Sequence, residues 1–523
     1  MEEQLKYSPR HPGFQKLYKI TQEPIPESEK HREFLPKALL TKALNYGKST
    51  FEKTRTKIKE IQEKRKIEAT DEEKNDSKIF VTKSSKDFAK IKADETFIDQ
   101  QPQCHPIIGA CVIAIPYALK QAGLPMGLFL LLAVSIMVEY SEVLLIQCSL
   151  LAKETCLQNI SKKHFGTPGF VISYMIPYLY SLSVLLTYNV ILADTCTKFT
   201  QSLQQALGSH VTLNRKVILL LLTIIIIPIS MTTNVKRIFK WSLVSLISAS
   251  FVTVLVTVRL FTLSGHVPHT YNAFKFLNTN IIQSVAVMSF ALSCQHTCRL
   301  YYATIDQSKE FDPDKPASIA SSYSLLCTIV LGCCGYLTFR GITQGNILEN
   351  YCEEDLLATL ARIFFAGFIL CLFPMECQSL RHLIQQGVVV HRKFQNIFHF
   401  SITLFVLTPA LLGAMLIDCL SIVVETAGLM LAVPLIFILP SIFFVRLSAG
   451  KLYSATKLPC LISIATGFTI SVCGLTMTLF TNHYCIHQSH MFPYCNGSSE
   501  LLGPLITLMS LNGSVNFDPQ RLV

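Results

Sequence analysis

Six consecutive small or polar residues, Ser293-Cys294-Gln295-His296-Thr297-Cys298, interrupt an apolar run over residues 281–302. A helix facing lipid has no partner to offer such a run, because hydrocarbon satisfies no polar group. The backbone either opens there or is wrapped by protein around a wet cavity. Cys294, His296 and Cys298 carry metal-ligating atoms. Their i, i+2, i+4 spacing does not converge on one helix face, so no metal site is predicted. A second odd stretch, 106–122, is short and punctuated by Pro106, Gly109 and Pro116. Short, Gly/Pro-interrupted segments at corresponding positions of two halves mark the binding site of inverted-repeat transporters. These two stretches are the first and sixth apolar segments, five apart, as a five-plus-five repeat requires. A kinked or re-entrant helix is the alternative reading of the first.

Ionisable residues inside apolar segments form a third group: Glu139, Glu142, Asp194, Arg259, Arg362, Glu376 and Glu425, with Asp418 at a junction. A charge at mid-bilayer costs roughly 2.5–3.5 kcal/mol. Each alone fits a structural hydrogen bond or an interfacial position; together they predict an internal polar pathway, with Glu376, Glu425 and Asp194 as its acidic candidates. No nucleophile is paired with a base, so no enzyme, catalytic residue or cofactor is expected.

These residues need membrane-spanning elements to hold them. The chain has 523 residues, 50% hydrophobic and only 15% charged, against about 25% charged in soluble domains; its mean hydropathy is +0.40. That excludes a disordered chain and a soluble single-domain enzyme. The net charge of +11 sits in a tail and in short loops, so the partner is a lipid bilayer and not nucleic acid. The polar start MEEQLKYSPR predicts no cleavable signal peptide. Residues 1–103 read as a basic, largely disordered cytosolic tail, 104–481 as the transmembrane domain, and 482–523 as an extracellular or lumenal tail.

A spanning helix needs about 20 apolar residues. Ten segments qualify: 124–148, 168–196, 217–235, 241–263, 281–302, 317–339, 356–380, 397–417, 419–445 and 458–481; with 106–122 the expectation is eleven transmembrane helices. With the amino terminus inside, the inner loops hold fifteen Lys/Arg and the outer segments seven, as the positive-inside rule demands. The carboxyl terminus is then outside. Two sequons there, at Asn496 and Asn512, predict glycosylation, and Cys485 with Cys495 predicts a disulfide in the same tail.

Ile108-Gly109-Ala110-Cys111 running into Ile115-Pro116-Tyr117-Ala118-Leu119-Lys120-Gln121-Ala122-Gly123 resembles the first helix of the amino acid/auxin permease superfamily. The branch it is most similar to is the sodium-coupled neutral amino acid transporters, solute carrier family 38. Further matches are Val287-Met288-Ser289-Phe290-Ala291, Gly335-Tyr336-Leu337-Thr338-Phe339, Pro374-Met375-Glu376-Cys377 and Ile417-Asp418-Cys419-Leu420 with Glu425, in order over about residues 107–495. The resemblance implies a LeuT-like fold of two inverted five-helix repeats plus one helix, and secondary active transport of a small neutral amino acid with sodium co-transported. It places substrate carboxylate at Gly109, Ala110 and Cys111, and substrate amino group at Ser289, Phe290, Ala291 and Leu292. It favours the plasma membrane over the lysosome. Three departures bear on the cation. The family's Gly-Ser-Gly is Gly109-Ala110-Cys111 here; its sodium-binding Asn is matched by His105, and its helix-eight Thr by Leu372. Sodium wants hard oxygen ligands, so the cation site is expected to be degraded. The same departures leave open a sensor that binds without pumping, or a sodium-independent or proton-coupled carrier.

Overall fold

The computed structural model describes residues 109–152, 157–207, 214–231, 235–263, 276–293, 314–387, 395–448, 452–454 and 456–480, with isolated positions at 265, 267 and 495. His105, Cys294–Tyr302, Cys485, Asn496 and Asn512 lie outside them. By contacts the chain forms two units. One holds Met1–Gln101 with Ala449–Cys460, of which the described part is a turn and the start of the last helix; the other holds Pro102–Ser448 and Leu461–Val523. Among the described residues the secondary structure is helical, with no strand.

In chain order, a 3₁₀ turn (Ala110–Ala114) leads into α1 (Ile115–Ala122). Then come α2 (Leu124–Ala152), α3 (Leu157–Leu207), α4 (Arg215–Ser230), α5 (Val235–Leu263), α6 (Ile281–Leu292), α7 (Asp314–Phe339) and α8 (Leu356–Gly387). After α9 (Gln395–Leu416) come α10 (Leu420–Leu447) and α11 (Leu458–Phe480). Seven of the described helices are long and apolar enough to cross a membrane, and Ala110–Ala122, Ile247–Leu263 and Ile281–Leu292 are shorter apolar stretches. The shared core draws buried residues from the 3₁₀ turn and from α1 through α10. Phe261, Leu416 and Ile224 on the same helices are exposed, as lipid-facing side chains are.

Three local details depart from the sequence reading. The stretch before 168, read as a loop, is the first part of α3. Leu157 and Ile160 are buried there while Lys162 and Lys163 are exposed. Gly166 separates it from the rest of α3, at φ 70°, a backbone region open to glycine at little cost. Pro168 then sits where the next helix starts, a position in which its missing N–H is no loss. Second, α10 is not uniform: Gly428–Ala432 and Pro434–Ile438 are π-helical. Wide π turns loosen the carbonyl ladder, and α11 meets two of those carbonyls. Ser471 Oγ donates to Leu429 O at 2.8 Å and Ser463 Oγ to Phe437 O at 2.9 Å.

The third departure is the disulfide. Cys495 is bonded to Cys352, at a Cα–Cα separation of 5.6 Å, and therefore not to Cys485. The proximity of Cys485 in sequence was the wrong guide. The loop after α7 carries Cys352 to the same face as Cys495, and α8 to α11 between them are an even number of helices.

Candidate functional site

Pro116 sets the geometry of the first element. It has no N–H to return to Val112 and its ring crowds the preceding turn, so the chain enters α1 through a tight 3₁₀ turn. Gly109 is extended, at φ −77° and ψ 148°. The first bond of the turn runs from Val112 N to Gly109 O at 3.2 Å. The amides of Ala110 and Cys111 thus precede the helical ladder, and a helix start concentrates partial positive charge on such amides. Ala110, Cys111 and Ile113 are wholly buried.

Helix α6 brings the opposite pole. Its final turn closes with Ser293 N donating to Ser289 O, so the carbonyls of Phe290, Ala291 and Leu292 fall at the negative end of the helix. The 3₁₀ turn packs against α6, and α1 packs alongside it. Three polar contacts fix the pairing. Ser284 Oγ donates to Ala118 O at 2.8 Å, Asn278 Nδ2 to Lys120 O at 2.9 Å, and Asn278 N to Ala122 O at 3.1 Å. The last two cap the carbonyl end of α1 from the residues that lead into α6. Residues 109–111 and 289–292, named from sequence, therefore belong to two packed elements, one presenting amides and one presenting carbonyls.

Side chains from other helices complete the site. Tyr180 of α3 donates its hydroxyl to Phe290 O at 3.2 Å, and its ring meets the Phe290 ring edge-on with centroids 5.4 Å apart. Tyr188 of α3 packs on Phe373 of α8, 5.9 Å between centroids. Leu372, beside Phe373, is fully buried and offers no ligand atom. Ser289 Oγ is buried with no hydrogen-bond partner among the described residues.

The three acidic candidates have separate surroundings. Asp194 accepts from Arg215 Nε at 2.8 Å, and the same guanidinium reaches Asp418 at 2.7 Å and Ala414 O at 3.0 Å. It belongs to an ion-pair group joining α3, α4 and the end of α9. Glu425 of α10 is wholly buried and accepts from Tyr117 Oη at 3.0 Å and from Gln121 Nε2; both donors lie on α1, one turn apart. Glu376 is buried on α8, in the turn before Arg381, which donates to Ser230 O and Thr403 Oγ1. The structure does not bring Asp194, Glu376 and Glu425 into one cluster, and among the described residues there is no group of metal-ligating side chains.

A cover that sequence reading missed is the loop between α7 and α8. Thr343, Asn346, Ile347, Leu348, Asn350 and Tyr351 are buried. Arg362 of α8, itself fully buried, donates Nη2 to Leu348 O at 3.1 Å and to Tyr351 O at 2.7 Å. Lys120 Nζ donates to Thr343 O at 3.0 Å. Lys198 lies 3.6 Å from Glu353, and Arg259 pairs with Asp355. Gly345 passes so close to α10 that a Cβ there would lie 2.9 Å from the Ser421 amide. The signals were present, as a glycine at a tight approach and acidic residues facing basic ones. Their partners lie far away in sequence and could not be assigned.

Comparison with known proteins agrees with this architecture. Residues 104–480 match the family described as transmembrane amino acid transporter protein. The chain is 32% identical over 391 residues to the Bos taurus protein named "Putative sodium-coupled neutral amino acid transporter 11", covering 75% of this chain and 84% of the relative. Its Homo sapiens counterpart is 34% identical over 378 residues, 72% and 93% of the two chains. "Vacuolar amino acid transporter 2" of Saccharomyces cerevisiae is 26% identical over 392 residues, 71% and 81%. A match over most of the apolar region, on a multi-pass helical scaffold, shows that the chain belongs to the amino acid/auxin permease family of transmembrane amino acid transporters and is not an enzyme.

Proposed function

We propose that this chain is a secondary active carrier that moves a small neutral amino acid across a membrane. The observation that carries the reading is the meeting of a buried 3₁₀ start at Ala110 with the buried carbonyl end of α6. A zwitterion in low dielectric needs a positive and a negative partner without net charge, and two helix ends supply that. Substrate carboxylate is assigned to the amides of Gly109, Ala110 and Cys111, and the ammonium to the carbonyls and hydroxyl of Ser289–Leu292. The names of the relatives support a neutral amino acid as cargo. The orientation assigned is amino terminus cytosolic, carboxyl terminus outside and glycosylated at Asn496 and Asn512, at the plasma membrane, on a LeuT-like plan of eleven crossings.

Sodium is the co-transported ion in this reading, held weakly. A second reading, sodium-independent or proton-coupled transport, is favoured by one observation: Leu372 is wholly buried where the resemblance calls for an oxygen ligand, and a methyl group cannot coordinate a hard cation. Uptake of radiolabelled alanine into proteoliposomes separates them. The leading reading expects uptake that falls when sodium is replaced by choline, and Leu372→Thr with His105→Asn steepens that dependence. Uptake indifferent to sodium but driven by a pH gradient selects the second reading. Binding without uptake indicates a sensor and overturns both.

A further inference from the structure

The carbonyl of Phe290 is among the acceptors assigned to substrate ammonium, and it is already engaged. Tyr180 Oη donates to it at 3.2 Å and Ser293 Oγ at 3.3 Å. Tyr180 comes from α3, 110 residues away in sequence; it is buried, and its ring braces the Phe290 ring. One residue before, Ser289 Oγ is buried with no partner among the described residues. The three hydroxyls at this helix end are therefore unequal. Tyr180 and Ser293 hold the Phe290 carbonyl and Ser289 is left over, although burying an unpaired polar group is costly. We propose that Tyr180 is a placeholder: its neutral hydroxyl satisfies the Phe290 carbonyl while the site is empty, and substrate ammonium displaces it. This rests on the transport reading and deepens it by naming a residue that sets affinity and selects for an ammonium group.

The exchange is favourable on general grounds. A charged donor at a carbonyl forms a hydrogen bond roughly twice as strong as a neutral hydroxyl does, and the carbonyl end of a helix favours a cation further. Rotation about the Cζ–Oη bond turns the Tyr180 hydrogen away from the carbonyl without moving the ring off Phe290, so the aromatic wall survives the exchange and the phenol oxygen is free to accept from the ammonium. A carboxylate lacking the ammonium group has nothing to displace Tyr180 with and meets a satisfied carbonyl.

The test is the affinity of purified full-length Tyr180→Phe, which keeps the ring and removes the donor. The probes are alanine and its des-amino analogue propionate, with thermal stability of the empty protein measured alongside. Removing the placeholder raises the free energy of the empty site alone, by one neutral hydrogen bond. Alanine is expected to bind about fivefold more tightly, while propionate stays weak and unchanged and the empty protein melts lower. Ser293→Ala, which takes the second hydroxyl from the same carbonyl, shifts alanine affinity the same way and serves if Tyr180→Phe does not fold. Unchanged or weaker alanine binding in both variants overturns the proposal and leaves Tyr180 as packing. Absence of alanine binding in the unmodified protein is a different failure, since it removes the substrate site itself.

Discussion

Glu425 shows what a buried carboxylate does when both its donors lie on one helix. Tyr117 and Gln121 sit one turn apart on α1 and meet the same oxygen, tying α1 to α10. Replacing the carboxylate with Leu takes the acceptor from buried Gln121 and half-buried Tyr117; an unmet buried donor costs about 1–3 kcal/mol and a half-buried one less. Glu425→Leu is therefore expected to lower the stability of the detergent-solubilised protein by roughly 2–4 kcal/mol, read as a fall in melting temperature. Glu425→Gln retains an acceptor and is expected to lose less than half as much. Equal losses would mean that charge, not hydrogen bonding, holds this contact. The sequence marked Glu425 as out of place in an apolar run, and that was legible from cost alone. Its donors were not legible: Gln121 is 304 residues away, and an i, i+4 Tyr–Gln pair has many uses on a helix. Asp194, named from sequence as an acidic candidate, pairs with Arg215 at the start of α4, a partner 21 residues on that sequence reading did not assign.

At the scale of elements, α6 and α10 are a closely set pair. A Cβ added at Gly428 would run into the backbone carbonyl of Ala286, and a backbone atom cannot swing aside as a side chain can. Gly428 also opens the π-helical stretch, so the approach and the widened turn coincide. Gly428→Ala is expected to cost about 1–3 kcal/mol by overpacking, and to reduce the maximal rate of alanine uptake more than it changes the half-saturating concentration. A variant that transports at the original rate would mean the two helices need not stay this close. Sequence reading placed the α10 segment correctly, because long apolar runs are fixed by the thickness of a bilayer, whereas of the 281–302 segment the described helix covers only Ile281–Leu292. It missed the π turns and the amphipathic start of α3. The π turns meet Ser463 and Ser471 of α11, whose hydroxyls look unremarkable in sequence, and the start of α3 packs Leu157 with Leu439 and Phe443 of α10.

For the whole molecule, the family and its multi-pass character were legible, since hydropathy and ordered motifs survive at low identity. The cover over the site was not, because it depends on which distant segments share a face. Cys352–Cys495 is the clearest case, joining residues 143 positions apart. A protease site inserted between 388 and 394 tests the pairing directly. After cleavage, the protein is expected to migrate as one species without reductant and as two with it, while Cys352→Ser gives two in either case. Pairing of Cys485 with Cys495 would leave both cysteines in one fragment and give two species throughout.

That covalent link also sets an order of events in biosynthesis. Cys352 emerges from the ribosome long before Cys495, and the stretch between them includes α8 to α11. The loop between α7 and α8 therefore stays unsealed until the helices between the two cysteines have been made and Cys495 has met an oxidising compartment. A chain cut short after α10 would leave Cys352 as a lone thiol, which a thiol-reactive reagent supplied to that compartment would report as an assembly fault.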